Sequence, residues 1–74
     1  MAKNIQVLNR ICAISDIHVD YKQNLEFIEN LSEDEYVNDG LILAGDVTDD
    51  MTLLRTVLEL LNSKFRTVFF VPGM

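Results

Sequence analysis

The chain has 74 residues, 49% hydrophobic and 24% charged, which suits one small folded domain and is too apolar for a disordered tail. Its formal charge of −6 argues against a nucleic-acid-binding patch and against binding to an anionic membrane surface. No stretch has the ~20 apolar residues of a membrane span, and the N-terminus lacks the apolar centre of a signal peptide, so we expect a soluble, intracellular and cytoplasmic protein.

The first half of the chain predicts a strand, a helix and a second strand. Residues 11–14 form a short apolar run that suits a buried strand, and residues 41–44 form another. Between these runs, apolar side chains recur in steps of three at Leu25, Ile28 and Leu31, with polar residues between them. That spacing predicts one face of a helix.

The second half predicts a longer helix and a third strand. Asp49 or Asp50 is a suitable N-cap, and a stripe of leucine and valine runs through the next three turns. Lys64 lies near the end of this helix and suits the negative end of its dipole. Residues 67–71 form a third apolar, β-rich run.

Strands that alternate with helices predict parallel pairing through right-handed crossovers, so the fold class is α/β with a β-α-β-α-β parallel-sheet unit. Continuous apolar strands are typical of a sheet that is covered on both faces. If the strands follow one another across the sheet, both helices lie on one face and the other face stays bare. Either the strand order doubles back or a covering layer is missing. We expect a single partial domain over residues 1–74, with residues 1–9 as a lead-in, and a partner or a C-terminal half that covers the exposed face.

Two acidic residues and a histidine directly follow the predicted strands. Asp16 and His18 come after the first strand, and Asp46, preceded by Gly45, comes after the second. Because adjacent parallel strands lie about 4.8 Å apart and end at the same edge, we expect these side chains to converge, with His18 beside Asp16 if the chain stays extended. Carboxylates with an imidazole suit Mn²⁺, Fe or Zn²⁺, and Gly45 allows a close approach or a positive φ. The sequence therefore predicts a metal site.

These segments resemble the opening blocks of the calcineurin-like metallophosphoesterases. Residues 14–18 (ISDIH), 43–46 (LAGD) and 70–73 (FVPG) match the family in order and spacing, and the resemblance extends from Arg10 to Gly73. It implies the first half of a four-layer α/β/β/α sandwich. It also implies hydrolysis of a phosphoester substrate by a dinuclear centre of two divalent ions.

The resemblance also implies a role for each site residue. Asp16 and His18 would bind the first metal ion, Asp46 would bridge both ions, and Gly45 and Gly73 would form supporting turns. The family continues with Asn-His after the last glycine, whereas Met74 stands here, so the family's catalytic histidine is absent from this chain. The resemblance therefore implies a metallophosphoesterase fragment that binds at most one ion and is inactive by itself.

Two other functions stay open at this point. A non-catalytic binding or regulatory fragment would keep half a metal site, and Met74 in place of Asn-His favours it over an intact enzyme. A receiver-type phosphoacceptor domain needs an acidic pair after the first strand and an acceptor Asp after the third, where this chain has Asp-x-His and Pro-Gly. A haloacid-dehalogenase-like phosphatase, by contrast, would need Asp-x-Asp after the first strand and is disfavoured because position 18 is His.

Overall fold

The structure is a computed structural model and describes residues 8–72. Its elements are β1 (Ile11–Ser15), α1 (Lys22–Glu29), β2 (Gly40–Gly45), α2 (Met51–Lys64) and β3 (Thr67–Pro72). The predicted β-α-β-α-β order is confirmed. Most of the expected lead-in, together with Gly73 and Met74, lies outside the described residues. Within residues 8–72, neither helix has the length and apolar character needed to cross a bilayer.

The three strands form one parallel sheet in the order β1–β2–β3, so the strand order does not double back. The register places Ile14 beside Leu43 and Leu43 beside Phe70. Right-handed crossovers between strands in this order place both helices on the same face of the sheet. The two helices accordingly contact each other.

The core lies between the sheet and these two helices. Leu41 and Leu43 of β2 are fully buried there, against Ile28 of α1 and Val57 and Leu61 of α2. The edge strands β1 and β3 add partly buried side chains to the same cluster, namely Cys12, Ile14, Val68 and Phe70. The two predicted helix faces are therefore the faces that pack on the sheet.

The opposite face of the sheet is open in the described part of the chain. Because side chains alternate along a strand, the residues between the core positions point away from the helices. Ile11 is 58% exposed, Phe69 49% and Val71 54%. The strands thus have the composition of a sheet buried on both faces, while the helices of this chain cover one face.

The two helices differ in how their N-termini are capped. Asp50 is the N-cap of α2, because its carboxylate accepts hydrogen bonds from the amides of Thr52 and Leu53. Asp50, rather than Asp49, is therefore the cap. At the start of α1 the cap position is Tyr21, whose side chain makes no capping hydrogen bond.

Lys64 lies in the last turn of α2, as expected, but its ammonium group binds the end of the other helix. Its side chain is almost fully buried, and Nζ donates to the carbonyl of Glu29 at 2.9 Å and to that of Leu31 at 2.6 Å. These carbonyls lie at the C-terminus of α1. The assignment of Lys64 to the dipole of its own helix was therefore incomplete, since its hydrogen bonds cap α1.

Asp39, whose carboxylate is buried, connects the segments that precede the three strands. Asp39 is 2% exposed and accepts a hydrogen bond from Nε of Arg10 at 2.9 Å, with Nη2 of Arg10 at 2.7 Å from the same oxygen. The carbonyl of Asp39 accepts a hydrogen bond from the amide of Arg66, just before β3. The hydrogen bond to Asp39 and the charge of its carboxylate raise the pKa of the Arg10 guanidinium.

Candidate metal centre

Three candidate ligands meet at the carboxyl edge of the sheet. Asp16 and His18 lie in the loop after β1, and Asp46 lies in the loop after β2. Each offers one ligand atom, and these atoms lie within 4.8 Å of one another. All three residues are exposed, so an ion and a substrate can reach them. The structure thus brings together the three residues that the sequence singled out.

The extended conformation expected between Asp16 and His18 is wrong. Asp16 has a φ of 52° and His18 a φ of 41°, both in the left-handed region that residues with a Cβ rarely adopt. The loop after β1 is therefore curled, and it brings the two side chains together by this curl. Each such conformation costs about 1–3 kcal/mol, so contacts with the surroundings must hold it.

Backbone hydrogen bonds between the two loops supply part of that support. The amide of His18 donates to the carbonyl of Asp46 at 3.3 Å. The amide of Val19 donates to the carbonyl of Val47 at 2.8 Å, and both valines are buried. The pairing of β1 with β2 thus continues beyond the strands, and it holds the proposed ligands beside each other.

Gly45 allows the close contact between the two loops. Its φ is 79°, and a Cβ at this position would collide with the carboxylate of Asp16. Next to it, the amide of Asp46 donates to Oδ1 of Asp16 at 3.0 Å. One oxygen of Asp16 is therefore held by the neighbouring loop, and the other oxygen can turn toward an ion.

Three further polar residues contact these loops, and the sequence analysis did not single them out. Asn24 donates from Nδ2 to the carbonyl of His18 at 3.2 Å. The hydroxyl of Thr48 donates to Oδ1 of Asp20 at 2.5 Å and accepts a hydrogen bond from the amide of Asp50 at 3.1 Å. The signal in the sequence was a short polar residue two positions after a predicted ligand, namely Asp20 after His18 and Thr48 after Asp46. Which of these residues pair becomes visible only in the fold.

An open cleft of about 150 Å³ adjoins the candidate ligands. Its walls are His18, Asp20, Asp46, Thr48 and Asp49. A wider depression runs on from Asp46 toward the end of β3. His18 and Asp46 therefore line an accessible, strongly acidic groove, and Asp16 lies beside it. The negative charge favours a cation over an anion as the first occupant.

The donor set fits a transition-metal ion. Ligand atoms within 4.8 Å of one another need little movement to close around one ion, because bonds of about 2.0–2.2 Å place opposite ligands roughly 4 Å apart. Two carboxylates with one imidazole match ions that accept both oxygen and nitrogen ligands. Three ligands leave at least one position of a four-coordinate ion that the described residues at this edge do not fill.

Comparison with known proteins agrees with this geometry. The chain is 39% identical over 61 residues to the acyl-carrier-protein phosphodiesterase PptH of Mycobacterium tuberculosis, which corresponds to 82% of this chain and 18% of that protein. The crystal structure of the phosphopantetheinyl hydrolase PptH from Mycobacterium tuberculosis matches with a TM-score of 0.72 and 38% identity, over 85% of this chain and 22% of that chain. The chain thus spans about a fifth of the length of the relatives it matches.

The family assignment follows from the extent of the match. The sequence pattern of the calcineurin-like phosphoesterases covers residues 9–73, and it includes all three candidate ligands. Members of this family use divalent metal ions, which agrees with the donor set at the sheet edge. The chain therefore belongs to the calcineurin-like phosphoesterase family.

Proposed function

We propose that this chain supplies the first part of the metal centre of a phosphoester hydrolase, with Asp16, His18 and Asp46 as ligands. The observation that carries the proposal is the convergence of two carboxylates and an imidazole within 4.8 Å, in a chain of this family. Asp16 and His18 would hold one ion, and Asp46 would be shared between that ion and a second one. Bound there, such ions neutralise phosphate oxygens and lower the pKa of a coordinated water.

The residues of the chain hold and orient this centre. The amide of Asp46 fixes one oxygen of Asp16, and the curled loop after β1 presents the imidazole of His18 beside it. Without a cation the groove is acidic and repels a phosphate group. Substrate binding, and not turnover alone, therefore depends on the metal.

The three proposed ligands set the number of metal ions that the 74-residue chain can bind. Three side chains suffice for one ion of the Mn, Fe or Zn class, and two ions about 3.5–4 Å apart need more. We therefore expect the isolated chain to bind one ion weakly and to hydrolyse no phosphoester at an enzymatic rate. As a single partial domain it would need a further layer over the exposed sheet face, from more sequence or from a partner.

The proposed substrate class is a phosphodiester, and the first compound to test is a carrier protein with a phosphopantetheinyl group. The support for this choice is the 38–39% identity to proteins named for that activity. We also propose a cytoplasmic location, which the distribution of the tagged protein between cell fractions would test.

Metal titration of the 74-residue chain tests the proposed ligands. Calorimetry with Mn²⁺ should show one weak site that Asp46→Asn and His18→Asn abolish. Asp49→Asn is the matched control, because Asp49 is exposed and lines the same cleft but is not among the three proposed ligands. Equal Mn²⁺ affinity in the wild type and in Asp46→Asn would refute the assignment.

A chimera tests the chemistry. Residues 10–72 of this chain would replace the matching segment of PptH from Mycobacterium tuberculosis, and hydrolysis of bis(4-nitrophenyl) phosphate and of a phosphopantetheinyl carrier protein would be followed. We expect activity that Asp46→Asn removes and Asp49→Asn retains. A folded chimera that binds Mn²⁺ but hydrolyses neither compound would favour the non-catalytic binding function instead.

A further inference from the structure

The two loops that carry the proposed ligands are joined by a side-chain hydrogen bond outside the ligand set. We propose that Thr48, with Asp20 as its acceptor, is a positioning residue for the metal centre. The inference rests on the proposed function, since it concerns how Asp46 and His18 are held for an ion. Neither Thr48 nor Asp20 belongs to the group of three convergent ligands.

The direction of the hydrogen bond is fixed by the neighbouring amide. The hydroxyl oxygen of Thr48 accepts a hydrogen bond from the amide of Asp50 at 3.1 Å, and an amide can only donate. The single hydroxyl hydrogen is then left for Oδ1 of Asp20, at 2.5 Å. A short hydrogen bond to an ionised carboxylate is among the stronger ones in proteins. The hydroxyl group of Thr48 therefore makes both hydrogen bonds: it accepts one from the amide of Asp50 and donates the other to the carboxylate of Asp20.

The position of the hydrogen bond between Thr48 and Asp20 suits a role at the metal centre. Asp20 lies two residues after His18, and Thr48 lies two residues after Asp46. The contact closes the outer end of the run in which His18 bonds to Asp46 at 3.3 Å and Val19 bonds to Val47. The hydrogen bond from the amide of His18 is long, and His18 has an uncommon positive φ, so further contacts must support the loop after β1. The side chain of Asn24 supports it from α1, and the hydroxyl of Thr48 supports it from the loop after β2.

Thr48 also connects this loop to the rigid part of the fold. Asp50, which donates to Thr48, is the N-cap of α2, and α2 is anchored in the core by Val57 and Leu61. The placement of the loop after β1 is thus transmitted from α2 through Asp50 and Thr48 to Asp20. Loss of the hydroxyl should release the loop that carries His18 while α2 stays in place.

The test is metal binding by the 74-residue chain, read with Mn²⁺ by calorimetry and with Co²⁺ by its visible absorption spectrum. Thr48→Val removes the hydroxyl at nearly constant size, and Thr48→Ser retains it. We expect about a tenfold loss of affinity and an altered Co²⁺ spectrum for the valine variant, since groups that orient metal ligands are typically worth about 10–100-fold. The serine variant should stay within about twofold of the wild type. Circular dichroism checks that each variant is folded.

The acceptor provides a second and independent arm. Asp20→Ala removes the acceptor, whereas Asp20→Asn keeps an oxygen that the hydroxyl can bind. Asp49→Ala and Asp49→Asn are the matched controls for charge in the same cleft. We expect Asp20→Ala to lose more affinity than Asp49→Ala, Asp20→Asn to resemble Asp49→Asn, and the double variant Asp20→Ala/Thr48→Val to be no weaker than Asp20→Ala. If Thr48→Val fails to fold, the Asp20 variants still test the inference, because Asp20 is exposed and its replacement should not disturb the core.

The outcomes separate this inference from the proposed function. If the wild type and Thr48→Val bind Mn²⁺ equally, the positioning role is overturned and the metal centre stands. If Thr48→Ser is as weak as Thr48→Val, the hydroxyl is irrelevant and the inference is overturned as well. A wild-type chain that binds neither Mn²⁺ nor Co²⁺ overturns the proposed centre, and the positioning role with it.

Discussion

Replacing Gly45 with alanine tests how closely the two loops are fitted to each other. The φ of 79° at this position costs a residue with a Cβ about 1–2 kcal/mol. The new methyl group would also collide with the carboxylate of Asp16, which must turn and lose the hydrogen bond from the amide of Asp46. A hydrogen bond to a charged group contributes about 1.5–3 kcal/mol, and exposure places this one near the lower value. We expect the free energy of unfolding to fall by about 2.5–3.5 kcal/mol, the sum of the two effects.

Gly40→Ala is the matched control for this variant. Gly40 is not among the glycines with positive φ, and a Cβ there would meet the methyl end of the Leu8 side chain at 2.9 Å, which can move aside. Urea unfolding followed by circular dichroism gives the stabilities, and calorimetry with Mn²⁺ gives the affinities. In an Asp16→Ala background, the cost of Gly45→Ala should fall to the conformational part, about 1–2 kcal/mol. If Gly45→Ala destabilises no more than Gly40→Ala and leaves the Mn²⁺ affinity unchanged, the reasoning is refuted.

Three further predictions concern the scaffold. Lys64→Met should lower the free energy of unfolding by about 3 kcal/mol, because two partly buried hydrogen bonds from a charged donor are lost at about 1.5 kcal/mol each. Lys22→Met at an exposed site should change it by less than ~0.5 kcal/mol in the same urea assay. Asp50→Ala should cost about 1 kcal/mol through loss of the N-cap of α2, and equal thermal stability of Asp50→Ala and Asp49→Ala would contradict that role. Phe69→Thr should reduce concentration-dependent self-association in light scattering, and an unchanged profile would show that the open sheet face does not drive it.

Features that depend on local pattern were predictable from the sequence. The apolar runs at residues 11–14 and 41–44 predicted the strands, because such a run has the length of a short strand and is too short for a typical helix. The approach of Asp16 to Asp46 was predictable for a related reason. Parallel neighbouring strands must end at the same edge, so residues 30 positions apart become neighbours once the fold class is known.

Features that depend on the distance between elements were not predictable. Lys64 reaches the carbonyl of Glu29, 35 positions away, and this required knowing how the two helices end relative to each other. The positive φ of His18 was missed because histidine, although it adopts positive φ more often than most residues with a Cβ, does so in a small minority of cases. The pairing of Thr48 with Asp20 requires the exact alignment of two loops, and it leaves no periodic pattern in the sequence.

The polar contacts of Asp39 and Lys64 have a consequence for how such a protein can change. Both lie at the amino edge of the sheet, where the strands begin and α1 ends, whereas the candidate ligands lie at the carboxyl edge. Mutations that alter the groove therefore leave the anchoring charges in place, and mutations that strengthen the anchors leave the groove's chemistry untouched. Substitutions intended to raise the free energy of unfolding are therefore best made at the amino edge near Asp39, and substitutions intended to change the substrate are best made at the carboxyl edge.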